Sequence, residues 1–364
     1  MKYAFAISLL LMLTLSCKKE TENEEKVIDR SNAEWSSYGL KGNVKSLSEK
    51  SYIATPEGTK GAARHENSAE HDFDLNFDEN GLLVSEKKWY NNGTPYEETN
   101  FEGKDKKLNS RLYSNNKVMS KTLYSWDTKG NNITVVKSNP DNTGMQKTEK
   151  KFDNEGRLIE TTTYNTQNNP TGRMTYSYDK KGNLTNEDIY MNYNLLVAKN
   201  ISEYDKDNHK IAETRLDKNS KVIYKTTYKY DNGRLIQKET RNNKGKVEYL
   251  QKITFDEKGN ETRQYTFDAF DNSETEDLYK YDARGNKIRW EIIKNKKPVM
   301  NAGYRYDDNN NLLEIIVNDA DNKMIENKMY EYKYDNQGNW TRKVIYSDGI
   351  PKFIIERNIT YYLE

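Results

Sequence analysis

The chain has 364 residues, 34% hydrophobic and 32% charged, with a mean hydropathy of −1.11, so it cannot build a thick aliphatic core. Its 58 basic residues against 57 acidic ones leave no net field for phosphate backbones, which argues against a nucleic-acid partner. Cys17 is the one cysteine, which excludes an intrachain disulfide and a cysteine-based zinc cluster.

Residues 1–16 begin Met1-Lys2-Tyr3, run apolar from Ala4 to Leu15 and end on Ser16, the pattern of a secretory signal peptide. The apolar run is too short to span a bilayer, which takes about 20 residues. Leu13-Thr14-Leu15-Ser16-Cys17 resembles the lipobox of bacterial lipoproteins, with Thr14 where that family prefers Leu. The resemblance implies that Cys17 becomes an acylated N-terminus, palmitate among its chains, and ties the body to a membrane. Residues 17–34 then read as a polar tether. Lys18-Lys19-Glu20, with acids following, is similar to the surface-export signal of lipoproteins in one Gram-negative phylum. That likeness implies an outer-membrane lipoprotein at the cell surface.

Residues 35–76 are expected to form an N-terminal capping segment. Gly39-Leu40-Lys41-Gly42-Asn43 gives a turn and Val44-Lys45-Ser46-Leu47 an alternating strand, whereas 54–72, with Pro56, Gly58 and Gly61, reads as loop. His65, Glu66, Glu70, His71 and Asp72 gather metal-capable side chains there. With no further ligand or second shell suggested, they read as a solvated loop, and neither metal nor cofactor is expected. His209 occurs in one repeat only and reads as surface variation.

From 77 to 346 the sequence repeats. An aromatic followed by an acid recurs eleven times, from Phe77-Asp78 to Tyr334-Asp335, at intervals of 24 to 28 residues. Seven of these continue Asp-x-x-Gly: Asp78 with Gly81, Asp127 with Gly130, Asp153 with Gly156, Asp179 with Gly182, Asp256 with Gly259, Asp282 with Gly285, and Asp335 with Gly338. Asp at the first position bonds back onto a type I turn, and Gly at the fourth takes the left-handed conformation that closes a hairpin with a bulge. Asn208 and Asn310 hold that slot in two further repeats, and Asn tolerates the same conformation. In one more, Asp231-Asn232-Gly233 is a residue shorter, and only Glu102-Gly103-Lys104-Asp105 is irregular.

On either side of these turns the residues alternate, as in Tyr228 and Tyr230 before a turn or Ile288, Trp290 and Ile292 after one. A second turn lies midway between markers, for example Asn242-Asn243-Lys244-Gly245. The 28 Tyr, 9 Phe and 5 Trp argue against disorder, in which aromatics are scarce. The expectation is therefore all-β: about eleven β-hairpin repeats forming a long, curved or superhelical antiparallel meander, ended by a C-terminal capping strand over 347–364. The tyrosine rows read as packing between neighbouring hairpins rather than as a ligand surface.

Units such as Phe152-Asp153-Asn154-Glu155-Gly156-Arg157-Leu158 resemble the YD repeat of the RHS family, over about residues 77–346. In large members of that family, YD hairpins wind into a hollow shell around a toxic C-terminal domain. This chain ends at Glu364, 30 residues after the last marker, so no such payload is expected and the short lipoprotein form is the closer likeness.

No Ser/His/Asp set, cysteine nucleophile or phosphate-binding glycine loop stands out, and no acid is singled out for glycoside hydrolysis, so an enzyme is not expected. The repeated acids come too far apart for a calcium ladder, whose repeat is about nine residues. The reading is a non-enzymatic surface or periplasmic lipoprotein, a repeat scaffold binding glycan or protein. The alternative is a structural spacer or open shell in a delivery system.

Overall fold

The computed structural model describes residues 30, 31, 33–67 and 70–363, and Cys17 lies outside them. A short 3₁₀ turn, Glu34–Tyr38, precedes twenty-five strands. The first are β1 (Val44–Ala54), β2 (Lys60–Ala63), β3 (Asp72–Phe77) and β4 (Leu83–Trp89). From there each strand pairs antiparallel with the next, through β5 (Pro95–Phe101) and on to β24 (Trp340–Ser347) and β25 (Ile350–Tyr361).

The expected long or superhelical meander is corrected at its ends. β25 pairs with β1, in register from Ser46 opposite Thr360 to Ile53 opposite Phe353, and the other edge of β1 pairs with β3. The sheet is therefore a closed barrel of 24 strands, with β2 as an outlying strand on β1. The physical reason is the edge problem. A long sheet leaves two rows of unpaired N–H and C=O groups, and closure removes both where caps could only shield them. The segments expected as caps supply the two strands that meet.

Following paired residues once around the wall from Leu47 returns to β1 displaced by about 24 residues, the same as the strand number. Equal stagger and strand number set the strands at about 36° to the axis, as in eight-stranded barrels with the same ratio. At about 4.8 Å between strands the wall is then roughly 40–45 Å across. Side chains fill an eight-stranded barrel but cannot fill this one, so the strands of the described residues enclose an open interior.

Register separates the two faces. Tyr176, Tyr228, Tyr279, Tyr304 and Tyr330 all fall on one face together with Leu47 and Leu75. In β7 (Lys117–Trp126), β13 (Leu195–Tyr204), β15 (Val222–Asp231) and β23 (Met324–Tyr334), mid-strand exposed positions such as Leu123, Ile201, Lys225 and Glu331 fall on the other face. Side chains converge inside a curved wall and diverge outside it, so the tyrosine face is the inner one. Burial there pushes the Tyr279 hydroxyl up to about 12 and also raises Tyr228 and Tyr304.

Both ends of every hairpin are shaped by turns. At one rim, here called the acidic rim, the seven Asp-x-x-Gly turns have glycine φ between +79° and +89°. Each glycine N–H donates to the carbonyl of its Asp, and each Asp Oδ1 accepts the N–H four residues on at 2.8–2.9 Å. The second turns form the far rim.

Among the described residues the buried apolar clusters lie at the seam. One buried cluster joins Trp35, Leu40, Val44, Leu47, Leu75, Phe77 and Leu83, and a second joins Ala54, Val344 and Ile354. Elsewhere the wall is held by its ladders and by tyrosines at or next to the markers. Tyr178, Tyr204, Tyr230, Tyr306 and Tyr332 each donate from Oη to a backbone carbonyl at the start of the preceding strand, at 2.7–3.1 Å.

Candidate functional site at the closing seam

The wall splits at one place. Ser46–Glu49 of β1 pair with β3, but β3 begins only at Asp72, and beyond it Tyr52 and Ala54 pair with β2 instead. Ser51 falls between the two partners. Its carbonyl accepts Arg64 N–H at 3.0 Å and its N–H donates to Asp72 Oδ1 at 2.9 Å, so a loop and a carboxylate replace the missing strand. Four residues of the expected 54–72 loop, Lys60–Ala63, are strand for the same reason.

His65 follows directly. The sequence placed it in a solvated loop, whereas its side chain is 3% exposed, with Nε2 2.7 Å from Asp72 Oδ1 and Nδ1 3.6 Å from Glu70 Oε2. The Asp72 contact lies off a good hydrogen-bond line, so charge holds it. Burial works to lower the His65 pKa, but Asp72, Glu70 and Glu49 outweigh it and the net shift is upward. Glu66 pairs with Lys328 of β23 at 2.8 Å, carrying the loop across the inner face.

Beside this loop, across the seam, Glu49 and Arg357 stand directly opposite each other and pair at 2.8 Å, each side chain 12% exposed. The Arg357 guanidinium lies 3.6 Å from the centre of the Trp340 ring. Burial lowers the pKa of both Arg357 and the neighbouring Lys343.

On the outer side of the split, Lys50, Tyr52, Ala63, Asp72 and the turn Asn91–Gly93 line a pocket of ≈ 470 Å³. Asn91 Oδ1 is buried there with no hydrogen-bond partner. Lys60 Nζ sits 5.1 Å from the Tyr52 ring centre. Nearby, His71 stacks on Tyr96 at 4.0 Å and Tyr90 meets Tyr96 edge-on at 5.2 Å. An aromatic face, a carboxylate, an ammonium and a side-chain amide can together hold a polyhydroxylated ligand.

The turn acids lie far from this site, spread around the acidic rim, and their oxygens are engaged. Hydrogen bonds from Asn183 hold Asp179 below the usual carboxylate range. Among the described residues Asp205, Asp207 and His209 bring three ligand-type atoms within 4.8 Å of one another. There Asp205 already accepts the N–H groups of Asp207 and His209 at 2.9 Å, and His209 Nδ1 lies 3.1 Å from its second oxygen. The residues that sequence reasoning missed are Glu49, Tyr52, Asn91, Trp340 and Arg357. Glu49, Tyr52 and Arg357 lie outside the 77–346 repeat, whereas Asn91 and Trp340 lie within it at an ordinary turn and strand start that nothing local singles out, and only closure of the sheet gives Arg357 its place.

No family model and no curated protein matches the chain. Among solved structures it is similar to TcdB2-TccC3-TEV, at 12% identity over 80% of this chain with a TM-score of 0.44. It is also similar to the Photorhabdus luminescens Tc holotoxin pore, at 13% identity over 78% of this chain and a TM-score of 0.28. A porin-like protein from Bacteroides uniformis aligns at 10% identity over 88% of this chain and 98% of its own, with a TM-score of 0.21. The chain spans only 18% and 19% of these two toxin chains. At such identities nothing about activity transfers.

Proposed function

We propose that the protein is a lipid-anchored, non-enzymatic scaffold of YD-type hairpins that binds glycan at the split in its wall. The observation that carries this reading is the outer pocket, where Tyr52, Lys50, Asp72 and the Asn91 side chain converge. A sugar ring stacks on the phenol while its hydroxyls bond to Asp72 and to the Asn91 side-chain amide. The anchor at Cys17 would hold the scaffold on the outer membrane at the cell surface. Screening the protein on immobilised polysaccharides should find a ligand whose affinity drops at least tenfold in Tyr52→Ala and in Asn91→Ala. A ligand bound equally well by both variants refutes the pocket. Separately, metabolic palmitate labelling should disappear in Cys17→Ala, and persistent label would remove the anchor from the reading.

The closed, open-centred wall favours a second reading, an open shell that houses a polypeptide. Co-purification of a protein that becomes protease-sensitive when the barrel is unfolded would support it over glycan binding.

A further inference from the structure

Apart from Leu123 in mid-wall and Leu363 just past β25, the apolar side chains most open to solvent among the described residues are gathered at one end of the barrel. Met119, Leu195, Ile223, Phe270, Val299 and Ile325, 44 to 99% exposed, all lie in or just after turns of the far rim. At the acidic rim, no large apolar side chain of the described strands is more than 38% exposed.

Four of the six share one structural origin. Register shifts between Leu112 and Tyr113, Arg215 and Leu216, Ile292 and Ile293, and Val317 and Asn318 leave one extra residue on the facing strand. Those extra residues are Met119, Ile223, Val299 and Ile325. A bulge residue has no cross-strand partner, and the register puts all four on the outer face, where side chains diverge. An exposed lysine stands two positions before each one: Lys117, Lys221, Lys297 and Lys323.

We propose that the far rim docks into the headgroup boundary of an anionic lipid bilayer, in competition with glycan binding at the pocket beside the Asn91–Gly93 turn of the same rim. Outward-pointing side chains around a rim are not covered by a flat partner or by a second barrel stacked end to end, but a fluid that surrounds the rim covers them. Each lysine beside its apolar residue can meet a phosphate while that residue enters the acyl boundary, about 5–10 Å deep. The acidic rim, with its ring of turn carboxylates, is repelled and fixes the orientation. Asp217 and Asp319 begin turns at the far rim too, so long-range attraction is modest and apolar burial dominates the affinity. The N-terminal chain enters at the acidic rim, where Arg30 Nε donates to the Glu79 carbonyl at 3.1 Å. Residues 18–29 reach about 40 Å when extended, more than the wall's height of about 25 Å, so the anchor and the far rim can share one leaflet.

The test uses the chain from Lys18 onward, which keeps every strand but cannot be acylated. In flotation with vesicles of phosphatidylethanolamine and phosphatidylglycerol, the protein should rise with the lipid, and it should do so far less with phosphatidylcholine alone. Met119→Asp/Ile223→Asp/Ile325→Asp should cut the bound fraction at least tenfold at an unchanged melting temperature. Lys117→Glu/Lys221→Glu/Lys323→Glu should weaken binding and remove its salt dependence, which keeps the test decisive if the first variant folds poorly. Absence of flotation, or flotation indifferent to both variants, overturns the proposal. So does a dimer in solution that the apolar variant dissociates while lipid binding is absent.

Discussion

The Tyr362 hydroxyl donates to the Phe77 carbonyl at 2.7 Å, although 285 residues separate the two. It reaches past β1 to the end of β3 and so ties the last residues of the chain to the first hairpin across the seam. Asn339 adds a second tie, with Oδ1 accepting Lys41 N–H at 2.7 Å and Nδ2 donating to the Lys41 carbonyl at 2.9 Å. The ends of the chain are thus joined by the same kinds of bond that build the wall.

The Glu49–Arg357 pair should be the costliest single contact at the seam. Removing one member of a buried ion pair strands the other charge, so Arg357→Met should cost about 3–5 kcal/mol in denaturant titration. Glu49→Leu/Arg357→Met should recover most of that loss, because no charge is then left unpaired. A double variant as unstable as the single one would show that the pair is not coupled across β1 and β25.

Two glycines with the same backbone should respond differently to one substitution. Gly81 and Gly182 have φ of +85° and +87°, so each pays about 1–2 kcal/mol for a side chain in the left-handed region. A Cβ at Gly182 meets nothing within 4 Å, whereas at Gly81 it falls 2.6 Å from Ala33 Cβ and 2.7 Å from the Trp35 ring. Gly81→Ala should therefore be about 1–3 kcal/mol worse than Gly182→Ala, since overpacking adds to the backbone cost. Equal melting temperatures would mean that Trp35 does not pack on this turn.

His65 should make stability depend on pH. Its folded pKa is raised above the unfolded value near 6.5, so its contribution is fully present below that value and is lost as pH rises through the folded pKa. The wild-type melting temperature should fall over the window that starts near pH 6.5 and extends upward, relative to His65→Gln. The variant should show a flatter profile and cost about 1–3 kcal/mol at pH 6. Parallel profiles for the two proteins would count against the His65–Asp72 contact.

Strand parity gives the sharpest test of closure. Deleting 205–230 removes two strands and joins Tyr204 to Asp231, so β25 still meets β1 antiparallel in a ring of 22 strands. Deleting 205–217 removes β14 (Lys210–Asp217), and β25 then arrives parallel to β1 with the seam contacts misdirected. The first variant should be recovered folded and the second should aggregate. Equal recovery of both would contradict the closed barrel.

The repeat carried much of the fold. Acid and glycine spacing located the hairpin turns, and period-two tyrosines located one strand face, because turn chemistry and alternation are local properties. Closure was not legible, since nothing local in β1 or β25 tells a strand that ends a sheet from one that finds a partner 300 residues away. The candidate site was hidden for the same reason. His65 and Asp72 look like any polar loop until β3 starts late and leaves Ser51 without a ladder partner.

The seam also sets the order in which this molecule can assemble. Nearly every strand pairs with one beside it in sequence, but Leu47 must wait for Ile359. Loop-closure entropy makes such a contact slow, so it belongs to the last stage of folding. The cluster of Trp35, Leu47, Leu75 and Phe77 is local and can form while the rest of the chain is still emerging. Until Ile359 arrives, β1 presents a row of open backbone donors and acceptors, a template for foreign strands. A chain truncated anywhere before β25 keeps that edge permanently, and its fate is aggregation or proteolysis however many intact repeats it carries.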